Sequence, residues 1–511
     1  MLTYILRRLG ATILVLLVAS FIVYTLTSIG TDPLADLKQS NASNRQELID
    51  NRIEKLSLDV PPVLRYFTWL GGASRCLILQ CDLGIAFSRS DQPVINAVST
   101  AASSTIQLVT AATIIAIIAG LTIGILTALR QYSGFDYTVT FMTFIVYSLP
   151  IFWIAVLLKE FGAIRFNAFL SDPQISVWAM LLAGLVAGII FMSVLGGSWR
   201  TRLITFASAF VAVAGLLAFL GLTDWFAKPT VGIIGVILTG VAAAVGVTAI
   251  STGLANRRAL YASLIVVAIW AALYQPLQYL FFYVPQGWML IIMYVVAIIV
   301  GVVVGLIMGG DGKKEVARTA AIVSFITFFV IVIDRVLLVY SDYLDRIPQS
   351  GVIATIGSQT PNLNGDMWFQ LLDGFAHLVL PTIALSLVSI AAYTRYARSS
   401  LLEVMNQDYV RTARAKGLTE RTVIVRHAMR NALIPIATIV AFDIGALIGG
   451  AVITETIFAW KGMGALFVTG LERGDVNLVM GFFVVTGVLA VIFNLIADLL
   501  YSALDPRIRV S

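Results

Sequence analysis

Long apolar runs constrain this 511-residue chain more than any other feature of its sequence. The run at residues 288–309, for example, contains no charged residue. About twenty apolar residues in a helix are enough to cross the hydrocarbon core of a bilayer, which is roughly 30 Å thick. Charged residues make up only 12% of the chain, whereas a soluble domain has about 25%. The sequence therefore predicts an all-α polytopic membrane protein.

Twelve such runs are predicted to span the membrane. They lie near residues 2–29, 104–129, 137–162, 176–196, 203–222, 230–250, 259–283, 288–309, 319–341, 375–394, 431–458 and 477–499. The first has no small-residue cleavage site after it, so we interpret it as a retained helix and not as a secretory signal. Pro150 is expected to kink the third. Residues 31–103 form an external segment, whose amphipathic pieces are expected to rest on the outer membrane surface or on a partner.

The basic residues indicate how these spans are oriented. Alternate loops carry Arg200 with Arg202, Arg257 with Arg258, and Lys313 with Lys314 and Arg318, whereas the opposite loops carry little beyond Lys228. Short basic loops remain on the cytoplasmic side, so both termini are predicted to be cytoplasmic, in the cytoplasmic (inner) cell membrane. The net charge of +6 does not indicate nucleic-acid binding, because the basic residues lie in these loops.

Residues 403–435, EVMNQDYVRTARAKGLTERTVIVRHAMRNALIP, form a basic segment between two apolar spans. A first helix is predicted from the capping-type residue Asp408 to Lys416, and it ends at Gly417, a residue type that readily adopts the left-handed conformation. Thr419 is a second potential N-cap. The pattern predicts two short helices joined by a glycine elbow. Judged by its composition alone, the segment could be a basic cytoplasmic loop that only fixes the orientation of the neighbouring spans.

The order of residues in this segment is more informative than its composition. DYVRTARAKGL followed by RHAMRNALIP resembles the cytoplasmic coupling loop of ABC importer permeases, in the form found in the dipeptide and oligopeptide branch. Arg411 stands where the general pattern has Glu and Arg430 where it has Pro, departures that the peptide branch itself shows. YILRRLG, HLVLPTIAL, GGAVITETIFAW and NLIADLLYSALDPRIR resemble the same family.

The resemblance implies a type I ABC importer transmembrane domain with a six-helix core. The chain would carry this core in residues 1–163 and 346–511, with an inserted bundle of about six further spans at 164–345. The loop would dock in a groove of a separate ATPase subunit. The residues expected to take part in this coupling are Asp408, Tyr409, Arg411, Thr412, Ala413, Arg414, Ala415, Lys416, Gly417, Arg426 and His427.

The implied function is that of a permease subunit for di- or oligopeptides, which is not itself an enzyme. Its partners would be a second homologous permease, two ATPase subunits, an extracytoplasmic solute-binding protein and the lipid bilayer. ATP and Mg would bind to the ATPases, and this chain would bind no cofactor. Its nearest approach to a P-loop, GGDGKK at 309–314, lacks the required spacing and the Ser or Thr. The alternatives are a self-sufficient secondary transporter, or an ABC permease for a non-peptide solute such as a nickel chelate.

Four polar residues in the last spans are candidates for the translocation path. Asp443 lies about twelve residues into its span, which places it near the bilayer centre. A carboxylate at that depth is costly unless it faces water or a partner, or forms a helix–helix hydrogen bond. Glu455, Asn494 and Asp498 are expected to fix packing and gate geometry more than to contact solute.

Three other features lead to structural expectations. Asp334 and Arg335, adjacent near the end of a span, are expected to neutralise each other. His377 is expected to form a structural hydrogen bond, and two histidines without a Cys/His cluster predict no metal site. Cys76 and Cys81 leave two alternatives open, a disulfide or two unpaired thiols.

Overall fold

A computed structural model describes residues 2–78, 80–347 and 351–504, with side chains except those of 2–9, 77, 311, 446–450 and 498–504. The chain divides into two compact units. The first comprises Met1–Gly162, Thr355–Ser358 and Leu378–Ser511, and the second comprises Ala163–Ala354 and Gln359–His377. The predicted division into a transport core and an inserted bundle concerns which spans form the solute path. The two units do not decide this, and the division remains a prediction.

The first unit contains the amino-terminal and carboxyl-terminal helices together with a small hairpin. Its elements are α1 (Leu2–Gly30), α2 (Ala35–Lys38), α3 (Arg45–Leu56), α4 (Pro62–Ser74), β1 (Ile85–Ala86), β2 (Gln92–Pro93), α5 (Val94–Leu129), α6 (Gly134–Ser148) and α7 (Ile151–Leu157), which continues into a π-helical stretch, Leu158–Ile164. Two 3-10 turns lie at Arg75–Ile78 and Phe87–Arg89. β1 and β2 pair antiparallel, with Ile85 opposite Pro93.

The second unit is built almost entirely from helices. They are α8 (Arg165–Ser171), α9 (Val177–Leu195), α10 (Trp199–Leu222), α11 (Gly232–Ser251), α12 (Arg257–Tyr283), α13 (Gly287–Met308), α14 (Lys313–Leu338) and α15 (Tyr340–Leu344), with a 3-10 turn at Gly310–Gly312. The core of this unit contains Trp270, Phe281, Phe328 and Trp368, all of which are buried. Close helix approach relies on small residues; Gly301 on α13, for example, lies against the backbone of α14 at Ala320 and Ala321.

The remaining helices follow in sequence. They are α16 (Met367–Met405), α17 (Asp408–Ala415), α18 (Glu420–Thr422), a π-helical stretch at Val423–Ala428, α19 (Met429–Gly450), α20 (Val452–Ile457), α21 (Met463–Arg473) and α22 (Val476–Leu504). α16 begins within the second unit and ends within the first. Polar residues begin several of the spanning helices: the side chains of Ser133, Ser176, Ser198 and Asn256 each accept a hydrogen bond from a first-turn amide, as N-caps do.

Eleven helices among the described residues are long and apolar enough to cross a membrane. The count reaches twelve, as predicted, when α6 and the helical stretch Ile151–Ser171 are taken as one span. These two stretches are bent by 102° across the Leu149–Pro150 break. The kink expected at Pro150 is therefore present, and it is sharp enough to break the helix. Leu149 adopts an extended conformation, as residues before proline tend to do, and the chain leaves the helical path there.

The external segment differs from expectation in two respects. α5 begins at Val94, so residues 94–103 belong to a helix of the first unit. α4 packs within this unit, because Tyr66 and Trp69 are buried against Tyr24 of α1, and the Tyr66 hydroxyl lies 2.8 Å from the hydroxyl of Ser20. The face of α4 that carries Tyr66 and Trp69 thus packs within the same chain. Leu64 and Phe67 of α4 are exposed, and the expected contact of the amphipathic pieces with the membrane surface or a partner stays a prediction. Of the two alternatives for the cysteines, the structure shows the Cys76–Cys81 disulfide.

Two expectations for the second unit have different outcomes. His377 is buried, and its Nδ1 lies 2.9 Å from the carbonyl oxygen of Asp373, so the predicted structural hydrogen bond is confirmed. Asp334 and Arg335 form no direct ion pair in the described structure, so the prediction that they pair with each other is wrong, although the Asp334 and Asp366 carboxylates both act on Arg335 electrostatically. The Arg335 guanidinium lies over the rings of Phe282 and Trp368 instead. The buried Asp334 carboxyl accepts five hydrogen bonds, from the Thr230 hydroxyl, the Val231 and Gly232 amides, the Tyr274 hydroxyl and the Gln278 amide group.

Candidate coupling segment and pathway residues

The basic segment forms the predicted glycine elbow. α17 ends at Ala415, and Gly417 adopts a φ of +74°, in the left-handed region. Thr419 then caps α18 by accepting a hydrogen bond from the amide of Thr422. The first cap differs from expectation, since Gln407 is the N-cap residue and Asp408 is the first residue of the helix. A carboxylate at that position still favours the positive end of the helix dipole.

An ion pair closes the elbow on one side. Arg414 donates from Nη2 to Oε1 of Glu420 over 2.8 Å and from Nε to Oε2 over 3.2 Å. This contact with the Glu420 carboxylate raises the pKa of the Arg414 guanidinium. The pair spans the turn that contains Gly417, so it holds α17 and α18 at a defined angle. Both side chains are largely exposed, and the pair therefore contributes to geometry more than to stability.

A small apolar cluster attaches the elbow to the first unit. Val410, Ala413 and Val423 are buried together, with Val404 and Met405 packed against them. The spacing of Val410 and Ala413 places both on one face of α17. The inner face of α17 is thus anchored, and its other faces remain available.

A hydrogen bond from Asn431 Nδ2 to the Tyr409 hydroxyl, 2.8 Å long, ties α17 to α19. The other predicted coupling residues lie outside the apolar cluster. Exposed in the structure are Asp408, Arg411, Thr412, Arg414, Ala415, Lys416, Gly417 and Arg426, and His427 is half-buried. The segment therefore presents a cationic, helical surface on an elbow that is anchored by the apolar cluster and the Tyr409–Asn431 hydrogen bond.

Asp443 lies on α19 and is half-buried. Its carboxyl neighbours the hydroxyl of Tyr393 on α16, and Tyr393 is fully buried. This is a polar contact between two helices of the first unit. Within the described residues the Tyr393 hydroxyl forms no hydrogen bond, so the alternative of a helix–helix hydrogen bond also stays a prediction. One side of the Asp443 side chain remains open, so a role in the path stays a prediction.

Glu455, on α20, is fully buried. It accepts hydrogen bonds from the Thr105 hydroxyl over 2.6 Å and from the Gly464 amide over 2.6 Å. The Thr105 hydroxyl oxygen in turn accepts a hydrogen bond from the amide of Met463. These bonds fasten α20, α5 and the start of α21 to one another. Glu455 thus has the contacts of a positioning residue, and in this conformation its carboxyl does not reach solvent.

The last two path candidates lie on α22. Asn494 is exposed on the surface of that helix. The helix backbone at Asp498 is described, whereas its side chain lies outside the described residues. Their roles remain predictions.

Asp136 and Arg398 form an ion pair that sequence reasoning missed. The buried carboxylate of Asp136 accepts from Arg398 Nε over 2.7 Å and from Nη2 over 2.9 Å. Asp136 also accepts from the Tyr132 amide, so one carboxylate fixes the start of α6 against α16. The residues are 262 positions apart, and no local pattern links them. The only available signal was the presence of two opposite charges at the ends of two apolar runs.

At the other end of the first unit, Asp475 joins α22 to the hairpin. Its carboxylate accepts from the amide and the hydroxyl of Ser88 and from the amide of Leu478. Burial raises the pKa of Asp475, although these hydrogen bonds act in the opposite direction.

The fold and the coupling segment define a class of protein: a multi-pass membrane protein that presents a basic helical elbow on a bundle of apolar helices. Comparison with known families is consistent with this class. Residues 259–510, just under half of the chain, match the family described as binding-protein-dependent transport system inner membrane component. The match begins at residue 259, inside the stretch predicted to be the insert, so it does not separate insert from core.

Curated relatives carry names from peptide transport. The chain is 44% identical over 155 residues to the oligopeptide transport system permease protein OppB of Mycobacterium tuberculosis, which is 30% of this chain and 48% of the relative. It is 44% identical over 140 residues to the dipeptide transport system permease protein DppB of Escherichia coli K12, 27% of this chain and 41% of the relative. For the oligopeptide transport system permease protein AppB of Bacillus subtilis, the identity is 45% over 159 residues, 31% of this chain and 49% of the relative. The matches span less than half the length of each relative.

Proposed function

We propose that this chain is a permease subunit of an ABC importer for di- or oligopeptides. It would work with a second homologous permease, two ATPase subunits and an extracytoplasmic solute-binding protein. The observation that carries the proposal is the elbow at Gly417, which combines the sequence pattern of the coupling loop with an exposed cationic surface anchored by a buried apolar cluster. The family match and the names of the relatives support the same function.

The elbow suggests how force would pass from the ATPases to the spans. α17 would sit in a groove of an ATPase subunit, where the exposed basic residues meet the partner. The Tyr409–Asn431 hydrogen bond links α17 to α19, and Val410 and Ala413 pack on Val423, in the π-helical stretch that leads into α19. Movement of α17 on ATPase closure would therefore move α19 and Asp443 with it, and so rotate the core spans in alternating access.

In this proposal the core has six spans, and the bundle near residues 164–345 lies outside the path. The low charge of the bundle supports this division, because a solute path needs polar lining. The protein lies in the cytoplasmic membrane with both termini inside.

Affinity purification of the tagged chain from its native membrane tests the proposal. We expect two ATPase subunits and a second permease to copurify, because the chain would depend on partners for ATP hydrolysis. Reconstitution of that complex with its binding protein should then give ATP-dependent uptake of a small peptide such as tri-alanine. An isolated chain that moves solute on an ion gradient would refute the proposal, and uptake of a nickel chelate without uptake of peptide would refute the substrate class.

Cysteine labelling tests the orientation. In a Cys76→Ser, Cys81→Ser background, Arg200→Cys, Arg257→Cys and Lys314→Cys are expected to react with a membrane-impermeant maleimide only after the cytoplasmic side is opened. All three positions are exposed in the structure, so access depends on the side of the membrane. Lys228→Cys, also exposed, is the matched control and should react from outside. External labelling at any of the three would overturn the orientation.

A further inference from the structure

Arg395, on α16, carries a guanidinium that pairs with no carboxylate in the described part of the chain. Its guanidinium carbon lies 4.4 Å from the ring centre of Tyr147 and 5.8 Å from that of Phe144, both on α6. Its Nε is buried and has no hydrogen-bond partner. Arg398, one turn further along α16, is by contrast held by both carboxylate oxygens of Asp136. Of the two arginines, only Arg398 has its charge neutralised by the described structure.

The guanidinium groups of the two arginines also contact α6 at different positions along its length. Arg398 reaches Asp136, near the start of that helix, whereas Arg395 reaches Phe144 and Tyr147. Those rings lie eight and eleven residues further along, or about 12 and 16 Å at 1.5 Å per residue. In the orientation proposed above, the start of α6 is its cytoplasmic end. Arg395 therefore points its charge into the membrane, opposite to the direction of an arginine that snorkels to the nearest interface.

The surface around this guanidinium is not covered by the first unit. Phe144 and Tyr147 are 55% and 53% exposed, and a guanidinium beside lipid at this depth would be costly. The face of α6 that carries these rings therefore fits an aqueous path better than a lipid boundary. Tyr147 also lies three residues before Pro150, where the helical path bends by 102°. Broken helices of this kind form solute sites in other transporters.

We propose that Arg395, held against Tyr147, forms a carboxylate-binding subsite in the transport path that recognises the carboxyl terminus of a peptide. This inference rests on the proposed function. A guanidinium offers two parallel N–H donors that match a carboxylate, and stacking on an aromatic ring holds it while leaving its N–H edge free. Because every unmodified peptide ends in a carboxylate, such a subsite binds peptides without selecting their sequence.

The test compares the binding of tri-alanine and of its carboxyl-terminal amide to the purified complete transporter in nanodiscs, without the binding protein. The wild type is expected to bind tri-alanine about tenfold more tightly than the amide, as loss of a charge-assisted hydrogen bond predicts. Arg395→Gln should remove this preference and leave the affinity for the amide unchanged. Arg395→Lys should retain part of it.

Arg65→Gln is the matched control, because Arg65 also lies in the first unit with a buried Nε that lacks a hydrogen-bond partner. It should keep the wild-type preference. A wild type that does not distinguish the two peptides, or an Arg395→Gln variant that weakens both equally, would show that Arg395 is a structural anchor and overturn the subsite. Tri-alanine uptake by the wild-type transporter with its binding protein is measured in parallel, and its absence would refute the peptide function itself.

Discussion

Gly417→Val is expected to reduce ATP-driven uptake at least tenfold while membrane insertion and assembly with the ATPases are retained. Gly417 adopts a φ of +74°, and no atom lies within 4 Å of the position that a Cβ would occupy. The effect of valine therefore comes from the backbone and not from a clash. A β-branched residue in the left-handed region costs about 1–3 kcal/mol, which favours other conformations of the turn. α17 would then meet its partner at the wrong angle.

Uptake and ATPase activity in proteoliposomes measure this effect. The wild type should couple the two, whereas Gly417→Val should hydrolyse ATP without matching uptake. Gly417→Asn is the informative control, because asparagine tolerates a left-handed backbone and should keep most of the uptake. Normal uptake by the valine variant, or equal loss in both variants, would disprove the role assigned to the elbow.

The geometry of this segment was largely predictable because its signals are local. Gly417 and the capping residue Thr419, two positions later, specify the turn, and the structure places both as expected. The Arg414–Glu420 pair was not predicted. Its members are six residues apart, which is not a helical spacing, and they meet only because Gly417 reverses the chain between them.

The spans were predictable for a similar reason, since apolar length alone identifies a helix that can cross a bilayer. Boundaries that depend on tertiary packing were missed. Residues 94–103 contain asparagine, serine and threonine and were therefore assigned to the external segment, yet they extend α5. Val94, Ala97 and Val98 of this stretch are buried in the core of the first unit, and such packing overrides a polar composition.

Asp334 shows where sequence reasoning fails for a physical reason. Adjacent residues on an α-helix point about 100° apart, so Asp334 and Arg335 face different neighbours. The donors that satisfy Asp334 come from the start of α11 and from α12, 56 to 104 residues away in sequence. Only the packing of three helices brings them together, and the sequence carries no pattern for it.

Asp334→Ala is expected to lower the free energy of unfolding of the second unit by about 4 kcal/mol or more. The substitution leaves the Thr230 and Tyr274 hydroxyls, the Val231 and Gly232 amides and the Gln278 amide group without their acceptor. Each unsatisfied buried group costs about 1–3 kcal/mol, and in a membrane there is little water to replace the lost bonds.

Denaturant titration of the purified protein in mixed micelles measures this loss. Asp334→Asn should cost less than alanine, because its carbonyl oxygen still accepts some of the five hydrogen bonds. Arg335→Gln should cost only about 1 kcal/mol, since it removes a cation–π contact and leaves the Asp334 network in place. If Arg335→Gln destabilises the protein as much as Asp334→Ala does, the two residues act as a mutually neutralising pair after all, and the five-donor network does not account for the burial of Asp334.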